Sequence, residues 1–311
     1  MALKVLRAFR SYEAVGGEVL EGRRVMDFYS YAAINIVARN PPLAPSVEVR
    51  GGYLEALALE PTLISAGGMG RLTIDGREVP MWNAYLVGRS ALVRLEARED
   101  SVAYLTVHGG VAVEVGPVSR GSRLDPMNPT YTLKELRELL PALHLPERYV
   151  PGEARVLEFV PPWGAWTGDG CLDRLTLAKK TPESGYLLVP AREPPELGYP
   201  EEGPFRPGSL ALMAREGILV PLSFVEGSFL KLGELTPHSM DSLARLRPNT
   251  PVGLKPLDTR EGEGRFKEYL SKLSRIERVI SAAIEAVMRG ARRLKIKVKG
   301  KLYEVWIEEL K

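Results

Sequence analysis

Met26-Asp27-Phe28-Tyr29-Ser30-Tyr31-Ala32-Ala33-Ile34-Asn35-Ile36-Val37-Ala38-Arg39-Asn40-Pro41-Pro42, followed by Ser46-Val47-Glu48-Val49, is the stretch on which the fold turns. Asp27 is placed to cap a helix, because its carboxylate accepts the free N–H groups of a first turn. Asn40 and the two prolines stop that helix, since proline cannot continue it. A short strand, Ser46 to Val49, comes after the stop.

Outward from this point the first half reads as strands. Leu72-Thr73-Ile74 and Glu78-Val79 flank Asp75-Gly76, a hairpin-turn pair whose residue types tolerate positive φ. Ala91 to Leu95 and Val102 to Val107 continue the pattern. A polar, proline-bearing stretch runs from Pro117 to Pro129. Thr132 and Glu135 have the spacing of a capping box, and Leu133, Leu136, Leu139 and Leu140 give the helix behind it an apolar face. Pro146 to Pro151 reads as a linker, which sets domain spans of 1–145 and 151–260.

The second span predicts strands near Arg155–Val160, Arg174–Ala178, Tyr186–Val189, Ser209–Ala214 and Ile218–Phe224. Pro190 to Pro207 is rich in proline and glycine and predicts a long surface loop. The third span, 264–311, opens with a long helix over 264–293, in which Phe266, Tyr269, Leu270, Leu273, Ile276, Ile280, Ala283, Ile284 and Val287 recur mostly three or four residues apart. A hairpin turning at Gly300 closes it, with Leu294, Ile296 and Val298 alternating with lysines. Lysines along such a strand are the expected protection of a solvated edge.

Composition excludes several classes. A net charge of +3 in 311 residues is too small to argue for nucleic acid. No apolar run reaches the ~20 residues of a membrane span, and the charged N-terminal strand pattern is unlike a signal peptide, so a cytoplasmic location is expected. Cys171 is the only cysteine, which excludes an internal disulfide and a cysteine zinc site. His108, His144 and His238 have no metal-ligand spacing, so no metal is expected. Nucleotide-binding glycine motifs of the Walker and Gly-x-Gly-x-x-Gly kinds are missing from the sequence. Glutamine is absent and asparagine sparse, a pattern expected of a thermophile.

Met-Asp, the two asparagines at 35 and 40, Pro-Pro and the Glu48 strand together resemble the biotin-dependent carboxyltransferase family. That family includes the second subunit of allophanate hydrolase, the carboxyltransferase-like subunit of 5-oxoprolinase and an antagonist of a sporulation kinase inhibitor. Leu63 to Gly67, Leu72 to Trp82 and Ala103 to Val111 are similar to the family's next strands. Gly185-Tyr186-Leu187-Leu188, Pro207-Gly208-Ser209-Leu210 and Leu243 to Pro248 fall in the family's order. The resemblance covers roughly residues 1–260.

It implies a fold of mainly β to α+β class: a cyclophilin-like β-barrel architecture with added helices, in two domains, here followed by the long helix and hairpin. The family's polar loops are rewritten. Its Gln-Asp pair is missing from Ser11 to Gly17, and an arginine position is acidic in Thr181-Pro182-Glu183-Ser184-Gly185-Tyr186. A third loop is reduced to Val225 to Leu230.

Residues that remain to line a site for substrate are Asp27, Glu48, His108, Gly109, Gly110, Gly185 and Tyr186. Read from the residues alone, Asp27 is a helix cap, Glu48 a buried ion pair and His108 a half-buried, hydrogen-bonded histidine. Glycines after His108 let a backbone approach a ligand closely.

Two functional readings come from the resemblance. One is a subunit of an ATP-dependent amidohydrolase complex of 5-oxoprolinase type, opening 5-oxoproline to glutamate with ATP as the implied cofactor. The other is a non-catalytic partner or regulator of a subunit 1-like protein, or an allophanate hydrolase/urea carboxylase-type carboxyltransferase chain. Both make the chain part of a hetero-oligomer with a subunit 1-like partner. The terminal hairpin is similar to the opening of a biotin-carrier domain, but no Met-Lys dipeptide exists, so covalent biotin is not expected.

Overall fold

The structure, a computed structural model, describes residues 2–16, 24–112, 116–162, 172, 174–181, 185–191, 201–213 and 216–308. Cys171, Pro182 to Ser184, Arg215 and much of the Pro190–Pro207 stretch lie outside these residues.

The first of two large sheets is organised by Ser46–Ala58. This strand is far longer than the four residues its sequence suggests. Leu3–Ala14 runs antiparallel along one edge. The other edge is shared: Val47 to Arg50 pair with Val102–Val107, and Tyr53 to Leu57 pair with Leu92–Ala97. The change of partner falls at Gly51-Gly52. A Cβ on Gly52 would lie 2.1 Å from the Phe9 carbonyl oxygen, so only glycine lets the strands meet there. Opposite it, the register slips between Phe9 and Ser11, and Arg10 takes φ +50°. Asp75 and Gly76 both have positive φ and join Gly70–Ile74 to Arg77–Val79, as the turn pair predicts.

Helix α1 (Phe28–Val37) packs on this sheet against Thr62–Gly68 and Val102–Val107. It stops three residues before Asn40; Arg39 then turns the chain at φ +62°. Asn40 does not terminate the helix but fastens the loop beyond it. Its Nδ2 donates to the Val107 carbonyl at 2.8 Å and lies within reach of Asn35 Oδ1 and Thr106 Oγ1. Asn35 donates to the Ala44 carbonyl at 2.9 Å. The pair of asparagines therefore ties helix, loop and sheet together through buried amides whose valences are filled. Helix α2 (Leu133–Leu139) carries the expected Thr132–Glu135 capping box.

The second sheet closes. Val156–Val160 pairs parallel with Thr250–Pro256 on one side and antiparallel with Val225–Leu235 on the other. Leu175–Thr181, Gly185–Pro190, Gly217–Pro221 and Ser209–Met213 complete a seven-stranded barrel. Glu201–Phe205 adds to Val225–Leu235 outside the ring, so part of the expected surface loop is a strand. Helix α3 (Pro237–Arg245) packs on Val156–Val160, and its Met240, Leu243 and Ala244 join the barrel's core. The barrel expectation holds, and the chain is α+β.

Helix α4 (Thr259–Met288) begins five residues before the expected start at 264, because Asp258 and Glu261 form a capping box that the apolar repeat does not reveal, and it ends five residues before 293. Its Tyr269, Leu273, Ile276 and Ile280 pack on Tyr29, Leu63, Leu139 and Leu143. Burying each such large side chain stabilises the fold by about 1.5–3 kcal/mol. The hairpin Arg292–Val298 and Lys301–Ile307 stands apart as a two-stranded sheet. Met26, Tyr31, Ile34 and Tyr104 of the first sheet's unit join the barrel's own apolar core, so the junction between the two units is itself core.

Candidate functional site

That junction is where the chain concentrates its buried charge. A helix leaves its first N–H groups without partners inside the helix. Here side chains take five successive N–H groups, from Met26, just before the cap, to Ser30 in the first turn. The N–H of Met26 donates to Glu48 Oε2 at 3.0 Å and that of Asp27 to the Tyr104 hydroxyl at 2.9 Å. Phe28 and Tyr29 donate to the two oxygens of Asp241, at 2.8 and 3.2 Å. Ser30 donates to Asp27 Oδ1 at 3.0 Å. Asp27 is thus the cap its position predicts, and it has two helpers brought from Ser46–Ala58 and from α3.

The negative charges are answered by arginines. Arg245 forks onto Asp27, Nε to Oδ2 at 2.8 Å and Nη2 to Oδ1 at 2.7 Å. Arg50 donates from Nε to Glu48 Oε1, and its guanidinium lies over the Tyr12 ring. Tyr104 donates its hydroxyl to Glu48 at 2.6 Å, and Tyr269 donates to Asp241 at 2.5 Å. All of these carboxylates and guanidiniums are buried. Burial would lower the pKa of each arginine, but the adjacent carboxylate outweighs it and raises both Arg50 and Arg245. Among the described residues no guanidinium is in hydrogen-bond contact with Asp241. Burial, with the Asp27 charge nearby, pushes its carboxyl up to about 7.

Tyr186 faces this cluster from the barrel. It is fully buried, and burial raises its phenol further than the neighbouring Arg50 lowers it. Gly185, one residue before it, sits at φ +122°, where a Cβ would fall 2.1 Å from the Val220 carbonyl oxygen. Asp27, Glu48, Gly185 and Tyr186 therefore come together at the junction. His108, Gly109 and Gly110 do not join them. His108 Nδ1 donates to the Ala38 carbonyl at 2.8 Å, since the carbonyl can only accept. Its Nε2 accepts from the N–H groups of Thr130 and Tyr131, both at 3.1 Å. This neutral tautomer agrees with a pKa lowered by burial. The Gly109 N–H donates to Asn40 Oδ1 at 2.7 Å, and its φ of +95° serves a close pass of Pro129.

Reading single motifs missed Arg50, Tyr104, Asp241 and Arg245. Asp241 and Arg245 did leave a signal: opposite charges four apart on a helix whose neighbours Met240, Leu243 and Ala244 are apolar. Such a pair points inward with its neighbours. A different region holds a cavity of about 520 Å³, lined by residues that include His144, Arg148, Ala283, Ala286, Glu304 and Trp306 between α4, the 142–148 segment and the hairpin. None of the candidate site residues Asp27, Glu48, His108, Gly109, Gly110, Gly185 and Tyr186 lines it. Among the described residues, no group of three or more His, Cys, Asp or Glu converges to hold a metal ion. No helix among them is long and apolar enough to cross a membrane.

Residues 25–128 match the family model of the carboxyltransferase domain, subdomain A and B. The match begins two residues before the helix cap and contains Glu48, Arg50, Tyr104 and His108. The protein TTHA0988 has a similar structure at a TM-score of 0.62 and 20% identity, over 82% of this chain and 55% of its own. Kluyveromyces lactis urea amidolyase superposes at a TM-score of 0.70 and 14% identity, over 88% of this chain and 20% of its own. The urea carboxylase of Kluyveromyces lactis gives 0.64 and 14%, over 88% of this chain and 29% of its own. The chain thus spans about half of the first and less than a third of the other two. No curated protein matches by sequence. A barrel joined to an open sheet through a capped helix defines a carboxyltransferase-type fold. Residues 25–128 are therefore similar to that carboxyltransferase domain, and the chain shares its fold with these solved structures.

Proposed function

We propose that the chain is a divergent subunit of an ATP-dependent amidohydrolase assembly of 5-oxoprolinase type, acting with a subunit 1-like carboxyltransferase-family protein. The family match and the retained two-unit architecture support a related subunit. The observation that carries the assignment of roles is the saturation of the junction. Asp27 and Asp241 hold backbone N–H groups of α1 and Glu48 holds that of Met26 just before it, each together with an arginine or a tyrosine. Both His108 nitrogens are engaged. We assign these residues to the framework that presents the barrel, and not to contacts with substrate.

The junction does not fit ATP on its own. A phosphate needs unengaged cations and N–H donors. At the junction, Arg50 and Arg245 are committed to Glu48 and Asp27, and the first-turn N–H groups of α1 already donate to carboxylates and to Tyr104. We therefore assign ATP hydrolysis, as part of this proposal, to the assembly and not to the junction. The same saturation favours a second reading, a partner without catalytic residues.

Co-purification with the subunit 1-like protein, followed by an assay of 5-oxoproline-dependent ATP hydrolysis, tests both. Turnover that needs both chains supports the amidohydrolase subunit. A stable complex inert toward 5-oxoproline and other small amides supports the non-catalytic partner. Two chains that do not associate would falsify either reading.

A further inference from the structure

The C-terminal hairpin is turned inside out relative to an ordinary surface hairpin. Cross-strand partners share a face, and faces alternate along each strand. The register pairs Leu294 with Val305, Ile296 with Tyr303 and Arg292 with Ile307, while Arg293 pairs with Trp306 and Lys295 with Glu304. One face is therefore Leu294, Ile296, Val298, Tyr303, Val305 and Ile307, and the other carries Arg293, Lys295, Glu304 and Trp306. The charged face meets the body. Glu304 Oε2 lies 2.7 Å from His144 Nε2, Arg293 lies on the His144 ring, and Trp306 packs on the α4 core. The apolar face points away: Leu294, Ile296, Val298 and Ile307 are 40–49% exposed, while Tyr303 also borders the cavity between the hairpin and α4. A contiguous apolar sheet face left in water, on a hairpin too small to be stable alone, marks a surface that something covers.

Its charge selects the occupant. Arg292 flanks the apolar face and Lys299 stands at the turn; among the described residues neither has an acidic partner. A second copy would bring like charges together. The β-branched Ile296, Val298, Val305 and Ile307 make a flat pleated surface suited to a sheet or helix face. A membrane-inserting hairpin would instead carry apolar residues at its tip, where this one has Lys299-Gly300.

The geometry points to docking of a partner protein on this face, through an apolar patch edged by carboxylates; resting on the function proposed above, that partner is the subunit 1-like protein. Affinity of the full chain for the subunit 1-like protein, measured by titration calorimetry, tests it. Leu294→Glu with Ile296→Glu is expected to weaken binding at least about 100-fold, as for loss of a buried apolar interface centre. Arg292→Glu with Lys299→Glu leaves the apolar residues in place and is expected to weaken binding roughly 10-fold and flatten its salt dependence. An unchanged unfolding temperature in both variants separates docking from folding.

Equal binding by wild type and both variants overturns the docking face while leaving the partnership intact. Absence of any complex with the wild-type chain overturns the partnership and this assignment with it. Two controls use the chain alone. A dimer dissolved by Leu294→Glu with Ile296→Glu assigns the face to a second copy, and binding to phosphatidylglycerol vesicles lost in the same variant assigns it to membrane. Either result overturns the proposal.

Discussion

The α1 cap and the C-terminal hairpin put charge and apolar surface in opposite places. At the cap, Asp27, Glu48, Asp241, Arg50 and Arg245 are buried and answered atom by atom. On the hairpin, aliphatic side chains face water while Glu304 and Arg293 face the body. The first arrangement is tolerable only because every valence is filled; a buried charge left unpaired costs several kcal/mol. The second is tolerable in an isolated chain only because the hairpin is small. A buried polar cluster with filled valences holds structure, whereas an apolar face without cover reads as an unfinished interface.

The largest effect should come from breaking the cap. Arg245→Ala leaves Asp27 buried without its cation and removes the link from α3 to α1, and an unfolding free energy lower by about 3–5 kcal/mol is expected in urea. Pairing Arg245→Met with Asp27→Asn, which removes both charges, should recover part of that loss. If the double variant is as unstable as Arg245→Ala, the ion pair is not what holds the junction.

Asp241 sharpens the point, because it is the carboxylate of the cap without an arginine in contact among the described residues. Its pKa is raised from 3.8 to about 7 in the fold. A carboxyl raised on folding binds its proton more tightly in the folded state. Its favourable contribution is therefore complete below about pH 4 and fades as pH rises through 7. Relative to Asp241→Asn, which does not titrate, the wild-type chain should lose stability between pH 4 and pH 8, by at most roughly 4 kcal/mol for three pKa units. Chemical denaturation of both proteins across that range checks this. A difference between them that stays constant with pH would remove Asp241 from the account.

Much of this frame was legible in the sequence. The Asp27 cap, the Asp75-Gly76 turn, the Thr132–Glu135 box and the barrel itself all rest on local rules or on motifs in family order, and they appear in place. The features that were not legible depend on distance along the chain. Asp241 and Arg245 meet α1 across more than 200 residues, separations of 212 to 218 in sequence. No local period encodes such a meeting. Ser46–Ala58 outran its four-residue reading because Gly51-Gly52 looks like a break but serves a bend. His108 read as a possible ligand because a histidine before two glycines is the same string whether its nitrogens meet a ligand or the Ala38 carbonyl.

Asn40 should show a smaller effect of the same kind as the cap. Its side chain accepts from the Gly109 N–H and donates to the Val107 carbonyl, both buried. Asn40→Ala leaves these groups without partners, at about 1–3 kcal/mol for each buried unsatisfied group. Asn40→Asp keeps the acceptor for Gly109 but loses the donor to Val107, and it should be at least as unstable. Thermal unfolding of the two variants ranks them, and a fully stable Asn40→Asp would show that only the acceptor matters.

The smallest effect belongs to the hairpin, and its smallness is what distinguishes the two regions. Ile296→Thr removes aliphatic surface from a side chain that the isolated chain leaves 40% exposed, and threonine keeps the β-branched shape a strand prefers. Little apolar area is returned to water, so the change in stability should stay within about 0.5 kcal/mol, the range of surface substitutions. The contrast with a buried aliphatic is direct. Ile276→Val, which removes one methylene from α4's fully buried face, should cost about 0.5–1.5 kcal/mol. If Ile296→Thr destabilised the isolated chain as much as Ile276→Val, the apolar face would already be covered by this chain's own residues. The hairpin would then be ordinary core, and its outward face would need no partner.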